Sequence, residues 1–151
     1  FFLKNKCDYL SNVHPPCYPD GFDIEIFTFK ALKKSFKKAK KKFEREHVTP
    51  YIWDNPNLFK ILNYTPDQIE ENLYENYRLT LDYLEDFILI SSIFKKLYKQ
   101  NVKFSFKDIL KFLKKNKKIS NINKKFIKFN WYGKYVNNLK TIRKKDTKLF
   151  K

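Results

Sequence analysis

Four groups of residues in this chain have types and spacings that could do chemistry. Asp23 and Glu25 stand on the same side of a strictly alternating stretch, Phe22-Asp23-Ile24-Glu25-Ile26. Strand side chains alternate between faces, so these carboxylates point the same way and can accept hydrogen bonds from hydroxyls; a solvated strand face has the same pattern. Glu44-Arg45-Glu46-His47 sets four polar groups between apolar flanks, an awkward composition for a plain surface helix. A local Arg–Glu network that fixes a helix start explains it equally well, and His47 is either a base or a hydrogen-bonded structural residue. Asp82 offers the carboxylate oxygen that a hard divalent cation prefers. Asp82-x-x-Glu85 also fits a helix-capping box. Cys7, His14 and Cys17 make a C-x6-H-x2-C spacing that lacks a fourth zinc ligand and is stiffened by Pro15-Pro16. Two cysteines are no disulfide framework at this length.

The elements that must position these groups follow from periodicity. Asp8 to Ser11 is a candidate strand, and Tyr18-Pro19-Asp20-Gly21 is a turn. Gly21 to Thr28 has the period of a half-buried strand, with Phe22, Ile24 and Ile26 as its apolar face. From Phe29 to Phe43 the apolar residues Phe29, Leu32, Phe36, Ala39 and Phe43 recur every three or four positions, which predicts an amphipathic helix with lysines on its wet side. A short helix over Val48 to Asn55, a strand over Leu58 to Tyr64 and a capped segment opening at Thr65-Pro66-Asp67 come next. Tyr77 to Leu81 reads as a strand, Leu84 to Tyr98 as a helix and Phe106 to Asn116 as a basic amphipathic helix. Alternating strands and helices predict an α/β class.

Composition bounds the rest. The 151 residues include 16 Phe, 10 Tyr and 2 Trp, enough apolar surface for a folded core and against disorder. No apolar run reaches the ~18 residues of a membrane helix, and the chain is expected to be cytoplasmic. Glycine occurs twice, at Gly21 and Gly133, which excludes a glycine-rich phosphate loop within these residues. The net charge of +17 is uneven. Residues 1–86 hold 13 Lys/Arg against 14 Asp/Glu, and residues 87–151 hold 20 against 2. Only Arg45, Arg78 and Arg143 are arginine. Base readout and bidentate phosphate contacts favour arginine, so the lysines read first as solvated helix faces and second as a polyanion-binding module.

Asp8-Tyr9-Leu10-Ser11-Asn12, Tyr18-Pro19-Asp20-Gly21-Phe22-Asp23-Ile24-Glu25-Ile26-Phe27, Glu44-Arg45-Glu46-His47-Val48-Thr49-Pro50-Tyr51-Ile52 and Arg78-Leu79-Thr80-Leu81-Asp82-Tyr83-Leu84-Glu85-Asp86-Phe87 occur in this order. Together they resemble the cytidylyltransferase family that includes the spore coat polysaccharide biosynthesis protein F group, relatives of the acylneuraminate cytidylyltransferases. The likeness covers roughly residues 7–115.

The resemblance implies a Rossmann-like nucleotide-diphospho-sugar transferase fold with a mixed sheet and flanking helices. It implies transfer of CMP from CTP to a sugar, with pyrophosphate released and Mg²⁺ assisting, in surface polysaccharide or glycan synthesis. By the same resemblance Asp82 is the metal ligand and catalytic residue, although Tyr83-Leu84 stands where the family usually has Thr-Pro. Asp23 and Glu25 lie near the acceptor sugar. Arg45, Glu46 and His47 lie beside the sugar pocket, with Arg45 a partner for a sugar carboxylate or phosphate. The family's Gly/Arg/Lys-rich nucleotide loop and first acidic motif are missing from these residues. The chain begins Phe1-Phe2-Leu3 and contains no methionine. It is therefore expected to be a carboxy-terminal half, inactive alone, with residues 1–115 belonging to the transferase domain and 116–151 forming a lysine-rich helical or flexible tail. No membrane partner is expected and nucleic acid is disfavoured; homodimer formation stays open, because relatives often pair.

Overall fold

The structure, a computed structural model, describes residues 1–65 and 72–148. In chain order the first elements are α1 (Phe2–Asn5), β1 (Tyr9–Ser11), β2 (Glu25–Phe27), α2 (Phe29–Lys38), α3 (Lys42–Glu46), α4 (Pro50–Trp53) and β3 (Ile61–Asn63). They are followed by α5 (Leu73–Asn76), α6 (Leu84–Leu97), α7 (Phe106–Lys115), α8 (Lys117–Ser120) and α9 (Tyr132–Tyr135). The chain divides into two units. The first contains residues 1–17, 23–69 and 128–151, and the second contains 18–22 and 70–127.

In the first unit β1 is the middle of a mixed three-stranded sheet, antiparallel to β2 and parallel to β3. Its three residues are all buried, as a central strand requires. Tyr9 pairs with Phe27 and Ile61, and these side chains share the face that packs on Ala31, Phe43, Ile52, Trp53, Phe59 and Leu139. Pleating puts Ser11 and Glu25, which pair with each other, on that same face. The alternation is therefore inverted relative to expectation: Ile24 and Ile26 are 59% and 42% exposed, and the acid of this strand looks toward the core side. Regular pairing also spans only Glu25–Phe27, because Asp20 and Gly21 are engaged in the second unit.

The single helix expected over Phe29–Phe43 is two. Thr28 caps α2, its Oγ1 accepting from the Ala31 amide at 3.1 Å. Ala39 leaves the helix in an extended conformation. The buried Glu44 carboxylate then accepts from the amides of Lys40 and Lys41, both at 2.9 Å, and so nucleates α3. Ala31 and Ser35 are the buried positions of α2, while Phe29 and Phe36 are exposed.

The basic carboxy-terminal segment, expected as a helix or loose tail, contributes Trp131, Tyr132, Tyr135, Leu139 and Ile142 to the core of the first unit. Asp54, nearly inaccessible, holds it there. One oxygen accepts from the amides of Lys140 (2.8 Å) and Thr141 (2.9 Å) and from the Thr141 hydroxyl (3.0 Å). No sequence period marks this segment as core, because its aromatics dock singly around short helical turns.

In the second unit α6 buries Leu89, Ile93 and Leu97, and α7 buries Leu113. Ser105 and Asp108 form a capping box at the start of α7. Tyr77 to Leu81 is no strand. It runs beside the Asp20 turn through one isolated bridge at Arg78, with the Leu79 amide donating to the Asp20 carbonyl at 2.7 Å. Gly21 makes this approach feasible: its φ is +103°, and a Cβ there would stand 2.3 Å from the Leu79 carbonyl oxygen. The capped segment expected from Thr65-Pro66-Asp67 falls largely outside the described residues. No described helix is long and apolar enough to cross a membrane.

Candidate functional site

Glu25 sits at the edge of the first unit's sheet, exposed by area but held on one oxygen. Its Oε1 accepts from the phenol of Tyr9 and from Thr49 Oγ1, the latter at 2.8 Å. Tyr9 is fully buried on the central strand, and Thr49 is buried just before α4. Burial first, then the Glu25 charge, drives the Tyr9 phenol far above its ordinary pKa, with Tyr132 adding to the effect. Tyr9 is thus a fixed neutral donor, and the Glu25 carboxylate is oriented rather than free to rotate.

The residue before Thr49 is strained. Val48 has φ +68°, in the left-handed region that a β-branched side chain avoids. Such backbone persists only where its surroundings over-determine it. Here the turn connects His47, which ends α3, to Thr49, which orients Glu25.

Aromatic rings continue the site. His47 stacks on Trp131 with centroids 4.0 Å apart and planes 13° from parallel. Trp131 meets Trp53 and Tyr132, and His14 packs against Trp53 at 4.4 Å and Tyr132 at 6.0 Å. The His14 amide donates to Asn63 Oδ1 at 3.0 Å. Burial pushes the His14 imidazole down to about 4, so it is neutral near pH 7. Its Nε2 is buried and has no hydrogen-bond partner among the described residues, an unusual position for a polar atom. His47 is also shifted down by burial, with the Glu46 charge opposing. An oriented carboxylate and flat aromatic faces are groups that hold a polyhydroxylated ligand: the carboxylate for hydroxyls, rings for apolar C–H faces.

The other expected site residues are placed as follows. Asp23 precedes β2 and is exposed. Arg45 is engaged with Phe36: its Nη1 donates to the Phe36 carbonyl at 2.8 Å and its guanidinium lies over the Phe36 ring. Glu46 is exposed at the end of α3. The structure therefore joins Glu25 to the His47 segment through Thr49 and brings in Tyr9, Trp131 and Tyr132, none of which sequence reasoning had assigned to a site, together with His14, which it had weighed only with Cys7 and Cys17 as a zinc spacing. Their signal lay inside the quoted motifs, in Asp8-Tyr9-Leu10 and His47-Val48-Thr49. For Trp131 and Tyr132 there was none.

Asp82 belongs to the second unit, where carboxylates surround the buried Arg78. Arg78 donates to Asp86 at 3.2 Å, to Asp20 at 3.1 Å and to Asp82 at 2.5 Å. Asn123 donates to Asp86 at 2.7 Å and to the Arg78 carbonyl at 2.9 Å. Asp86, not the Asp82–Glu85 pair, caps α6: its Oδ2 accepts from the amides of Asp82 and Tyr83, both at 3.1 Å. Burial opposes its charge, but Arg78, Asn123 and these amides outweigh burial and hold its pKa below the ordinary aspartate value. Glu85 instead pairs with Lys125 at 2.6 Å. The Asp82 side chain is 61% exposed, with one oxygen on Arg78. Among the described residues no three His, Cys, Asp or Glu side chains converge to hold a metal ion.

Comparison with protein-family models finds no match. The chain is 43% identical over 123 residues to an uncharacterized protein of Methanocaldococcus jannaschii, a likeness covering 82% of this chain and 48% of that protein. Among solved structures it is similar to a cytidylyltransferase from Leptospira borgpetersenii, with a TM-score of 0.68 and 33% identity, over 79% of this chain and 48% of that one. The chain spans about half the length of both relatives. Its mixed α/β architecture, a three-stranded sheet flanked by helices, is thus similar to part of a cytidylyltransferase in both fold and sequence.

Proposed function

We propose that this chain is the carboxy-terminal part of a sugar cytidylyltransferase with a Rossmann-like fold, which transfers CMP from CTP to a sugar and releases pyrophosphate. The observation that carries this reading is the likeness to a cytidylyltransferase at 33% identity and a TM-score of 0.68. Residues of the first unit would form the sugar side. Glu25, fixed by Tyr9 and Thr49, accepts a sugar hydroxyl, and Trp131 with His47 forms a wall. The role of such groups is to align the attacking oxygen and keep water out. The CTP cradle would come from the half of the relatives' length that this chain does not match. A product for surface polysaccharide or glycan synthesis is part of the same reading.

Mg²⁺ would neutralise charge on the phosphates during transfer. Magnesium commonly takes only one or two protein carboxylates and completes its shell with water and phosphate. Asp82 fits that role as a single ligand: it is exposed and tethered on one oxygen by Arg78.

The test is CTP-dependent pyrophosphate release by the full-length protein over a panel of sugars. Activity with CTP and at least one sugar, lost in Glu25→Gln and Asp82→Asn, supports the reading. No release with any sugar, or full activity in both variants, overturns it.

A second reading rests on the lysines of α7 and α8. Lys107, Lys111, Lys114, Lys115, Lys117 and Lys118 are all exposed, a surface on which a polyanion gains by counterion release. Binding of RNA or DNA that weakens steeply with salt, and loses that slope when these lysines become glutamine, would favour it.

A further inference from the structure

Helix α2 turns Ala31 and Ser35 into the first unit. Its outer side is more than a solvated lysine face. Phe29 is 76% exposed and Phe36 66%, and Leu32 between them is half-buried. Seven residues make two turns, so the two rings stand in one row about 10 Å apart. Lys30, Lys33 and Lys37 lie beside that row, within roughly 100° of Phe29 around the helix axis. All three are exposed, and their ammonium groups make no ion pair or hydrogen bond among the described residues.

The apolar row widens toward α3. A shallow cavity of about 200 Å³ adjoins Phe36 and is lined also by Leu32, Ala39, Arg45 and Val48. The Arg45 guanidinium rests over the Phe36 ring, 4.5 Å from its centroid, and adds a cation to the same surface. Residues 26–53 hold nine Lys/Arg against two acids, Glu44 and Glu46. Glu44 is buried and committed to the amides of Lys40 and Lys41. The surface is therefore strongly positive, with phenylalanines projecting from it.

That combination selects the occupant. An anionic bilayer presents a plane of negative headgroups above an apolar layer. It takes up exposed phenylalanine rings, while lysines keep their charge at the phosphates on long apolar stems. Single-stranded nucleic acid fits less well, because its successive bases lie ~3.4 Å apart and stack on open ring faces. Here the rings are two turns apart, and a guanidinium already covers one of them. No spanning segment is needed, since a helix lying in the interface is held by apolar side chains and charge.

We propose that the α2 surface around Phe29 and Phe36 docks the chain on a membrane of anionic lipid, with the two rings entering the acyl boundary and Lys30, Lys33 and Lys37 meeting the headgroups. The proposal does not depend on nucleotidyl transfer.

Co-sedimentation of the purified chain with vesicles tests it. The chain should pellet with vesicles of equal parts phosphatidylglycerol and phosphatidylcholine and stay in solution with phosphatidylcholine alone. Raising salt from about 0.1 M to about 1 M should release it, as the screening length falls to ~3 Å. Lys30→Gln/Lys33→Gln/Lys37→Gln should weaken partitioning by about 100-fold, and Phe29→Ser/Phe36→Ser by about ten-fold or more. Both variants should keep the circular dichroism spectrum of the unaltered chain; the lysine variant carries the test alone should the phenylalanine variant unfold. In Phe29→Trp, tryptophan emission should move to shorter wavelength when the mixed vesicles are added. No pelleting with the mixed vesicles overturns the proposal, as does equal pelleting with phosphatidylcholine alone. Full binding by the lysine variant, or loss of binding in Lys111→Gln/Lys114→Gln/Lys115→Gln instead, overturns it too. Binding to oligouridine but not to vesicles, lost in the α2 variants, would assign this face to nucleic acid and overturn it as well.

Discussion

Thr49 Oγ1 stands 2.8 Å from Glu25 Oε1, the same oxygen that accepts the Tyr9 phenol, so two buried hydroxyls converge on one oxygen of an exposed carboxylate. This arrangement determines what Glu25 can do. One oxygen is committed to the protein and the orientation of the other is set. Replacing Glu25 with alanine strands two buried donors and should cost about 1–3 kcal/mol, the usual penalty for an unsatisfied buried polar group. Combining Glu25→Ala with Tyr9→Phe should cost less than the sum of the two single changes, which urea titration of the four proteins in a double-mutant cycle measures. Because the folded state keeps the Tyr9 phenol protonated, this residue makes stability fall as pH rises above the unfolded value of about 10. Tyr9→Phe should remove that part of the alkaline loss.

His14 gives the fold an acid sensitivity. Its folded-state pKa is lowered to about 4 by burial, against 6.5 for an ordinary imidazole. The unfolded chain therefore binds a proton between these values while the folded chain does not. Stability contributed at pH 7 is lost as pH falls from 6.5 toward 4, by roughly 3 kcal/mol in all. Urea midpoints at pH 7 and pH 4.5 should converge in His14→Phe, which keeps the ring packing on Trp53 and Tyr132.

The carboxylates around Arg78 should differ sharply in their contribution to stability. Asp86 is wholly buried, pairs with Arg78 and caps α6, so Asp86→Asn should destabilise by about 3–5 kcal/mol, as breaking a buried pair does. Asp82 is mostly exposed, and Asp82→Asn should cost at most about 1 kcal/mol. Thermal melts of the two variants measure the difference. Near-native stability in Asp82→Asn would let a loss of pyrophosphate release in that variant, if the assay proposed above finds one, be read as loss of chemistry rather than of fold.

Asp54 is the anchor of the carboxy-terminal segment. Asp54→Ala removes the acceptor of two amides and a hydroxyl at Lys140 and Thr141. Brief trypsin digestion should then cut first at Lys140 or Arg143, sites that should resist in the unaltered chain. The aromatic wall formed by Trp131 should loosen with it, seen as a red shift of tryptophan fluorescence.

Much of the fold was legible in the residues. Tyr9–Ser11, Leu84–Leu97 and Phe106–Lys115 lie within or close to the stretches marked by their periods, since strand alternation and amphipathic spacing are local properties. Three features were not. The break at Ala39 depends on Glu44 reaching back to the Lys40 and Lys41 amides, and the helical period of apolar residues continues through that break. The strand expected at Tyr77–Leu81 is pulled instead into the Arg78 ion network by Asp20, fifty-eight residues earlier in the chain. The apolar and acidic faces of β2 are reversed because Tyr9 and Thr49 offer Glu25 two buried donors.

Amino-acid order by itself determined the element types, the uneven charge and the ordered motifs that resemble a cytidylyltransferase, because each is written in neighbouring residues. Only the tertiary structure decided that Glu25 is oriented by Tyr9 and Thr49, that His14 keeps an unpartnered nitrogen, and that Trp131 stacks on His47. Those relations join positions tens of residues apart, and a hydrogen bond or ring contact between them exists only once burial has brought the segments together.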